Sequence, residues 1–106
     1  MNKTCVTHYN KIYMAGDIGT AAYTCRKYCD DVGLCVRIYP SIYIYTGGSE
    51  SGFCVQLINY PKFESTLDVI NEHGKRLAEL LLEACEQKSY SIETPYTTEW
   101  YDKSDE

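Results

Sequence analysis

Along this chain the apolar rhythm switches from a two-residue to a helical period and back, twice, and that leaves few folds open. Residues 4–14 are rich in β-formers and end at Ala15-Gly16-Asp17, where Asp17 is placed to cap a helix. From Ile18 to Val32, Ala21, Ala22, Cys25, Cys29 and Val32 recur at helical steps, and Gly33 closes the element. Alternation returns over Leu34–Tyr45, interrupted by Pro40, which has no N–H to give a ladder. Thr46–Gly52 reads as a turn and Phe53–Asn59 as the strand completing a hairpin. Ser65 is expected to cap a second helix, with Asp68 three residues on. Its apolar stripe is Leu67, Ile70, Gly74, Leu77, Ala78, Leu81 and Cys85. A glycine inside that stripe costs roughly 1 kcal/mol against alanine, which predicts close approach of helix to sheet. Ser89–Thr94 makes the last main strand, and residues 97–101 suit an additional edge strand.

The order β-α-β-β-α-β is the split βαβ arrangement. Right-handed crossovers then give an α+β, ferredoxin-like fold: an antiparallel four-stranded sheet with both helices on one face. At 106 residues the chain is one domain's worth. Residues 1–95 are assigned to that domain, and 96–106 to a polar-aromatic, acidic C-terminal tail.

The six cysteines, at 5, 25, 29, 35, 54 and 85, fall in apolar stretches and not in turns. They read as reduced thiols filling a core, the usage of a cytoplasmic protein. The N-terminus shows no apolar segment of a secretory leader, and no apolar run approaches the roughly 18 residues a membrane span requires. The net charge of −5 comes with no basic face, which excludes duplex nucleic acid as a partner. Cys25 and Cys29 lie one helical turn apart, but only His8 and His73 remain to complete a metal set, so neither metal nor cofactor is expected. No nucleophile–base pair or carboxylate pair stands at a turn, and no catalytic residue is assigned. The expectation is a non-enzymatic protein, with a small nucleotide hydrolase or a thiol-dependent enzyme as the third reading.

Recognition residues are easier to find. Tyr39, Tyr43 and Tyr45 share one strand face with Arg37, while Ile38, Ile42 and Ile44 share the other. The aliphatic side is expected to pack on the helices, leaving the aromatic side for a ligand or a second subunit. Thr46, Gly47, Gly48 and Ser49 offer backbone N–H and hydroxyl groups to an anion. Asn59, Tyr60, Lys62 and Phe63 combine an amide, two rings and a cation where the chain leaves the sheet. Such a group stacks a base, reads its edge and meets a phosphate. A turn that only staples the next helix would use the same residue types.

Tyr43–Gly52 followed by Leu57–Phe63 resembles small proteins of bacteriophages and prophages. The resemblance implies a host-cell setting and a role against host defence. The expected function is therefore to bind and sequester a nucleotide-derived signalling molecule, as a homo-oligomer. The alternative is a protein–protein inhibitor that docks its acidic helix face and tail on a host defence protein.

Overall fold

The computed structural model describes residues 1–105, with side chains to Ser104. The elements are β1 (Tyr9–Ala15), α1 (Ile18–Val32), β2 (Val36–Tyr45), β3 (Gly48–Ile58), α2 (Leu67–Ala84), β4 (Ser89–Glu93) and β5 (Thr98–Asp102), then a 3-10 turn at Lys103–Asp105. The sheet order is β2-β3-β1-β4-β5, with every neighbouring pair antiparallel. The first four strands have the expected split βαβ order. The sheet has five strands and not four, because residues 98–102 of the tail pair with β4. The stacking of Tyr101 on Tyr90, ring centroids 5.2 Å apart, anchors that fifth strand.

Alternation puts Ile12 and Met14 of β1, Phe53, Val55 and Leu57 of β3, and Tyr90 and Ile92 of β4 on one face of the sheet. These side chains meet Ala21, Cys25 and Tyr28 of α1 and Ile70, Leu77, Ala78, Leu81 and Leu82 of α2 in a single core. Tyr28 takes the place expected of Cys29 and Val32, since its ring is long enough to reach between the helices, where its hydroxyl lies 2.8 Å from His73 Nδ1. Asp17 caps α1 by accepting from the Thr20 N–H at 2.9 Å. The cap of α2 is Thr66, which accepts from Val69 N–H at 3.2 Å. Ser65, the expected cap, stands one residue before it, with its own N–H donating to Asn59 Oδ1 at 2.7 Å.

The close approach expected at Gly74 is present. A Cβ built there would lie 2.3 Å from the amide oxygen of Asn10, which is buried on β1. Asn10 Nδ2 donates to Asn71 Oδ1 at 3.0 Å, fixing the amide under the helix.

Two expectations for the hairpin are corrected. The turn is only Thr46-Gly47; Gly48 already pairs with Tyr45, and the ladder runs on through Ser49–Gly52. A φ of +90° at Gly47 lets two residues close the hairpin, so the remaining glycines and serines serve as strand. Ile42 and Ile44 do not pack on the helices: they are 70% and 82% exposed. The cause is length. β1 reaches only to the Ala15–Gly52 pair, so residues 42–45 and 48–51 leave the sheet as a two-stranded arm. The molecule is accordingly elongated, 49 × 28 × 27 Å.

Among the cysteines, Cys25 and Cys54 are buried, Cys5, Cys29 and Cys85 half-buried, and Cys35 exposed. Among the described residues no helix is long and apolar enough to cross a membrane.

Candidate functional site

The face of the sheet that carries no helix is aromatic and charged. Strand register lines up Tyr39, Cys54, Tyr13, Ser91 and Trp100 in one row across all five strands. The next row is Arg37, Gln56, Lys11, Glu93 and Thr98. Neighbours in these rows hold one another. The Arg37 guanidinium lies 4.6 Å from the centroid of the Tyr39 ring. Tyr13 donates its hydroxyl to Glu93 at 2.5 Å. Burial, and then the neighbouring Glu93 carboxylate, push the Tyr13 phenol above its ordinary range, so it stays a neutral donor.

Where this face meets the arm, a cleft of about 490 Å³ opens. Its lining comes from every direction: Tyr13, Met14 and Ala15 from β1, Tyr43 and Glu50 from the arm, Glu86, Gln87 and Lys88 from the loop after α2, Ser89–Ser91 from β4 and Asp102 from β5. Tyr43 and Glu50 are a cross-strand pair in the arm, which puts both on the same side of the ribbon. Tyr43 is half-buried, and its hydroxyl donates to the Phe53 carbonyl. Burial raises its phenol as well. Asp102 accepts from the Ser104 hydroxyl and from its N–H, the latter at 2.8 Å, and these bonds hold its carboxyl below the usual range. Three acidic residues, Glu50, Glu86 and Asp102, therefore share the lining of this cleft with one lysine, Lys88, and three tyrosines, Tyr13, Tyr43 and Tyr90.

Glu86 enters the cleft from an unusual backbone. The end of α2 is a Schellman motif, with Gln87 N–H donating to the Leu82 carbonyl at 2.9 Å and Glu86 N–H to the Glu83 carbonyl at 3.2 Å. The left-handed position of that motif is normally glycine. Here it is Glu86, at φ 54°, which costs about 1–2 kcal/mol for a residue with a Cβ.

The residues expected from sequence do not form one site. Tyr43 lines the cleft. Tyr45, Thr46, Gly47, Gly48 and Ser49 lie beyond it toward the tip of the arm. Arg37 sits on the same sheet face, in the row past Tyr39. Asn59, Tyr60, Lys62 and Phe63 follow the far end of β3, roughly 37 Å from the arm tip at about 3.4 Å per residue. The Asn59 amide is already engaged, donating to the Val6 carbonyl at 2.7 Å and accepting from Ser65 N–H at 2.7 Å. The Tyr60 hydroxyl accepts from the Cys35 thiol at 3.4 Å. Phe63 is exposed, with Lys62 Nζ 5.4 Å from its ring centroid. Tyr13, Glu50, Glu86, Lys88 and Asp102 are not among the residues expected from sequence. Alternation of Tyr13 with Ile12 and Met14 was a signal for the first, and the missing glycine after α2 was a signal for Glu86.

No protein-family model matches the chain, and no curated protein matches it. Solved structures do. One, described as a phage SAM lyase in its apo state, superposes with a TM-score of 0.70 at 14% identity, covering 96% of this chain and 94% of that one. Another, a phage SAM lyase in complex with S-methyl-5′-thioadenosine, gives a TM-score of 0.63 at 12% identity over the same shares. The resemblance to small phage proteins is thus borne out at the level of fold. The expectation of a non-enzymatic protein is overturned, because the proteins that share this fold nearly end to end are named as an enzyme. This chain shares its fold with the phage SAM lyase structures over nearly the whole of both chains.

Proposed function

We propose that this chain binds S-adenosylmethionine in the cleft between sheet and arm and cleaves it as a lyase, releasing S-methyl-5′-thioadenosine. The observation that carries the reading is the convergence of Tyr13 and Tyr43 with Glu50, Glu86 and Asp102 in one cleft of this fold. The substrate has a flat base, a sulfonium and an α-ammonium. Phenol rings suit the first two, by stacking and by cation–π attraction. Carboxylates suit the two cations.

The chemistry asks little of the protein. When the bond between sulfur and the amino-acid γ-carbon breaks, its electron pair neutralises the sulfonium, so the leaving group needs no general acid. The substrate's own α-carboxylate replaces the lost bond at that carbon, closing a lactone with no proton transferred. The task left to the cleft is orientation: gripping the ammonium and the adenosine so that the carboxylate reaches the carbon from the side opposite sulfur. Tyr13, kept neutral, and Glu93 behind it stiffen the floor of that grip. In a phage setting, destroying a methyl donor acts against host defences that depend on methylation.

The arm supports a second element of this reading, that the working form is a homo-oligomer. A two-stranded ribbon is marginal in water on its own, and this one exposes Ile42, Ile44 and Tyr45.

The test is to incubate the purified protein with S-adenosylmethionine and follow products by mass spectrometry. S-Methyl-5′-thioadenosine and a lactone are expected in equal amounts. Absence of both binding and products removes the proposal.

A further inference from the structure

We infer that Glu86 is the specificity-determining residue that lets the cleft tell a sulfonium from a thioether; the inference rests on the reading of the cleft given above. Glu86 lines the cavity together with Tyr13, Tyr43, Glu50 and Asp102, and Lys88 is the one cationic residue of that lining. It does so from the left-handed position at the end of α2, where glycine closes the motif without strain. The helix end requires no carboxylate there: an anion at a helix C-terminus meets the negative end of the helix dipole. Both backbone conformation and helix electrostatics therefore work against glutamate at this position, and neither is relieved by any hydrogen bond of the Glu86 side chain found among the described residues. What the side chain gains is its place in the cleft. Costs of this kind concentrate at functional positions.

The three carboxylates give the cleft a negative field that acts on the charge of the ligand. S-Adenosylmethionine and S-adenosylhomocysteine share the base, the ribose and the amino-acid group, and differ by one methyl group and one positive charge at sulfur. A carboxylate near sulfur favours the first and is indifferent to the second. The charge at sulfur also separates substrate from product, since S-methyl-5′-thioadenosine, having lost the amino-acid group, is a neutral thioether. Glu86 thus favours loading of substrate and release of product.

Calorimetric titration of the full chain with both ligands tests this, using Glu86→Gln and Glu86→Gly. S-Adenosylmethionine should bind the native protein at least about tenfold more tightly than S-adenosylhomocysteine, the scale of one charge-assisted contact. Glu86→Gln should bring the two affinities close together by weakening the sulfonium ligand alone. Glu86→Gly should do the same while raising Tm by about 3–6 °C through release of backbone strain. An affinity ratio unchanged in both variants, with S-methyl-5′-thioadenosine still formed, overturns the assignment and leaves the lyase reading standing. Failure of the native protein to bind or cleave S-adenosylmethionine overturns both together.

Discussion

Gly74 of α2 and Asn10 of β1 fit one against the other so closely that a methyl group on the glycine would lie 2.3 Å from the Asn10 amide oxygen. Asn10 is 1% exposed and bonded through Nδ2 to Asn71, so it has no room to retreat. Gly74→Ala should therefore destabilise the fold by about 2–3 kcal/mol, the range of overpacking a tight core, despite alanine's better helix propensity. Urea denaturation measures it. The double variant with Asn10→Ala should lose less than the sum of the two single losses, because the residue that meets the new methyl is gone.

Glu50 faces the cleft from the arm, across the ladder from Tyr43. Glu50→Gln keeps shape and removes charge. It should slow formation of S-methyl-5′-thioadenosine by about 10- to 100-fold, as expected for loss of one charged contact to the substrate. Thermal stability should stay within about 0.5 kcal/mol, since Glu50 is exposed on a two-stranded ribbon. Product assays and thermal melts on the same sample separate the two effects.

Cys25 gives the fold a pH dependence on the alkaline side. Burial in the core, followed by Cys29 and Cys85 nearby, pushes its thiol up to about 12. The folded state thus holds its proton more tightly than the unfolded chain, where a thiol ionises near roughly 8.5. The stability contributed is complete below that pH and is lost as pH rises toward about 12, at up to about 1.4 kcal/mol per pH unit. Cys25→Ala should flatten this slope between pH 9 and 11, read from denaturation midpoints, at about 1 kcal/mol lower stability at neutral pH.

Ile42 and Ile44 project from the arm, largely exposed. If the arm docks on a second copy, Ile42→Lys/Ile44→Lys should leave a folded monomer with unchanged circular dichroism. Light scattering of native and variant chains checks this, and a native chain that is itself monomeric removes the expectation.

Asn59 predicts a different outcome from the cleft residues. Its amide ties the N-terminal segment at Val6 to the start of the α2 cap at Ser65. Asn59→Ala should cost about 2–3 kcal/mol, two buried hydrogen bonds' worth, with KM for S-adenosylmethionine unchanged in the fraction that remains folded.

Element order was legible because each switch of period is local: Ile12 and Met14 alternate, and Leu77, Ala78 and Leu81 step like a helix whatever surrounds them. Gly74 was legible for the same reason, as an interruption in a regular stripe. The arm was not. Its length depends on where β1 stops, at Ala15, which nothing between Ser41 and Gly52 records. The cleft was hidden by the same kind of distance. Tyr13, Glu50, Glu86 and Asp102 lie on four separate segments, and only strand order and register unite them. The Asn59–Phe63 turn looked like a ligand site because an amide beside aromatics can read a base. Folded, that amide is occupied by the chain itself.

At Gly52 the sheet narrows abruptly, and here the absence of a side chain lets Met14, Ala15 and the Tyr43 ring crowd in, each within 3 Å of where a Cβ would sit. One wall of the cleft belongs to the rigid body and the other, Tyr43 with Glu50, to the ribbon that springs from this point. The width of the cleft is then governed by how the ribbon leans, and anything that braces its far end acts as a remote clamp on the jaws. If a second copy supplies that brace, formation of S-methyl-5′-thioadenosine should fall on dilution, well before any protomer unfolds.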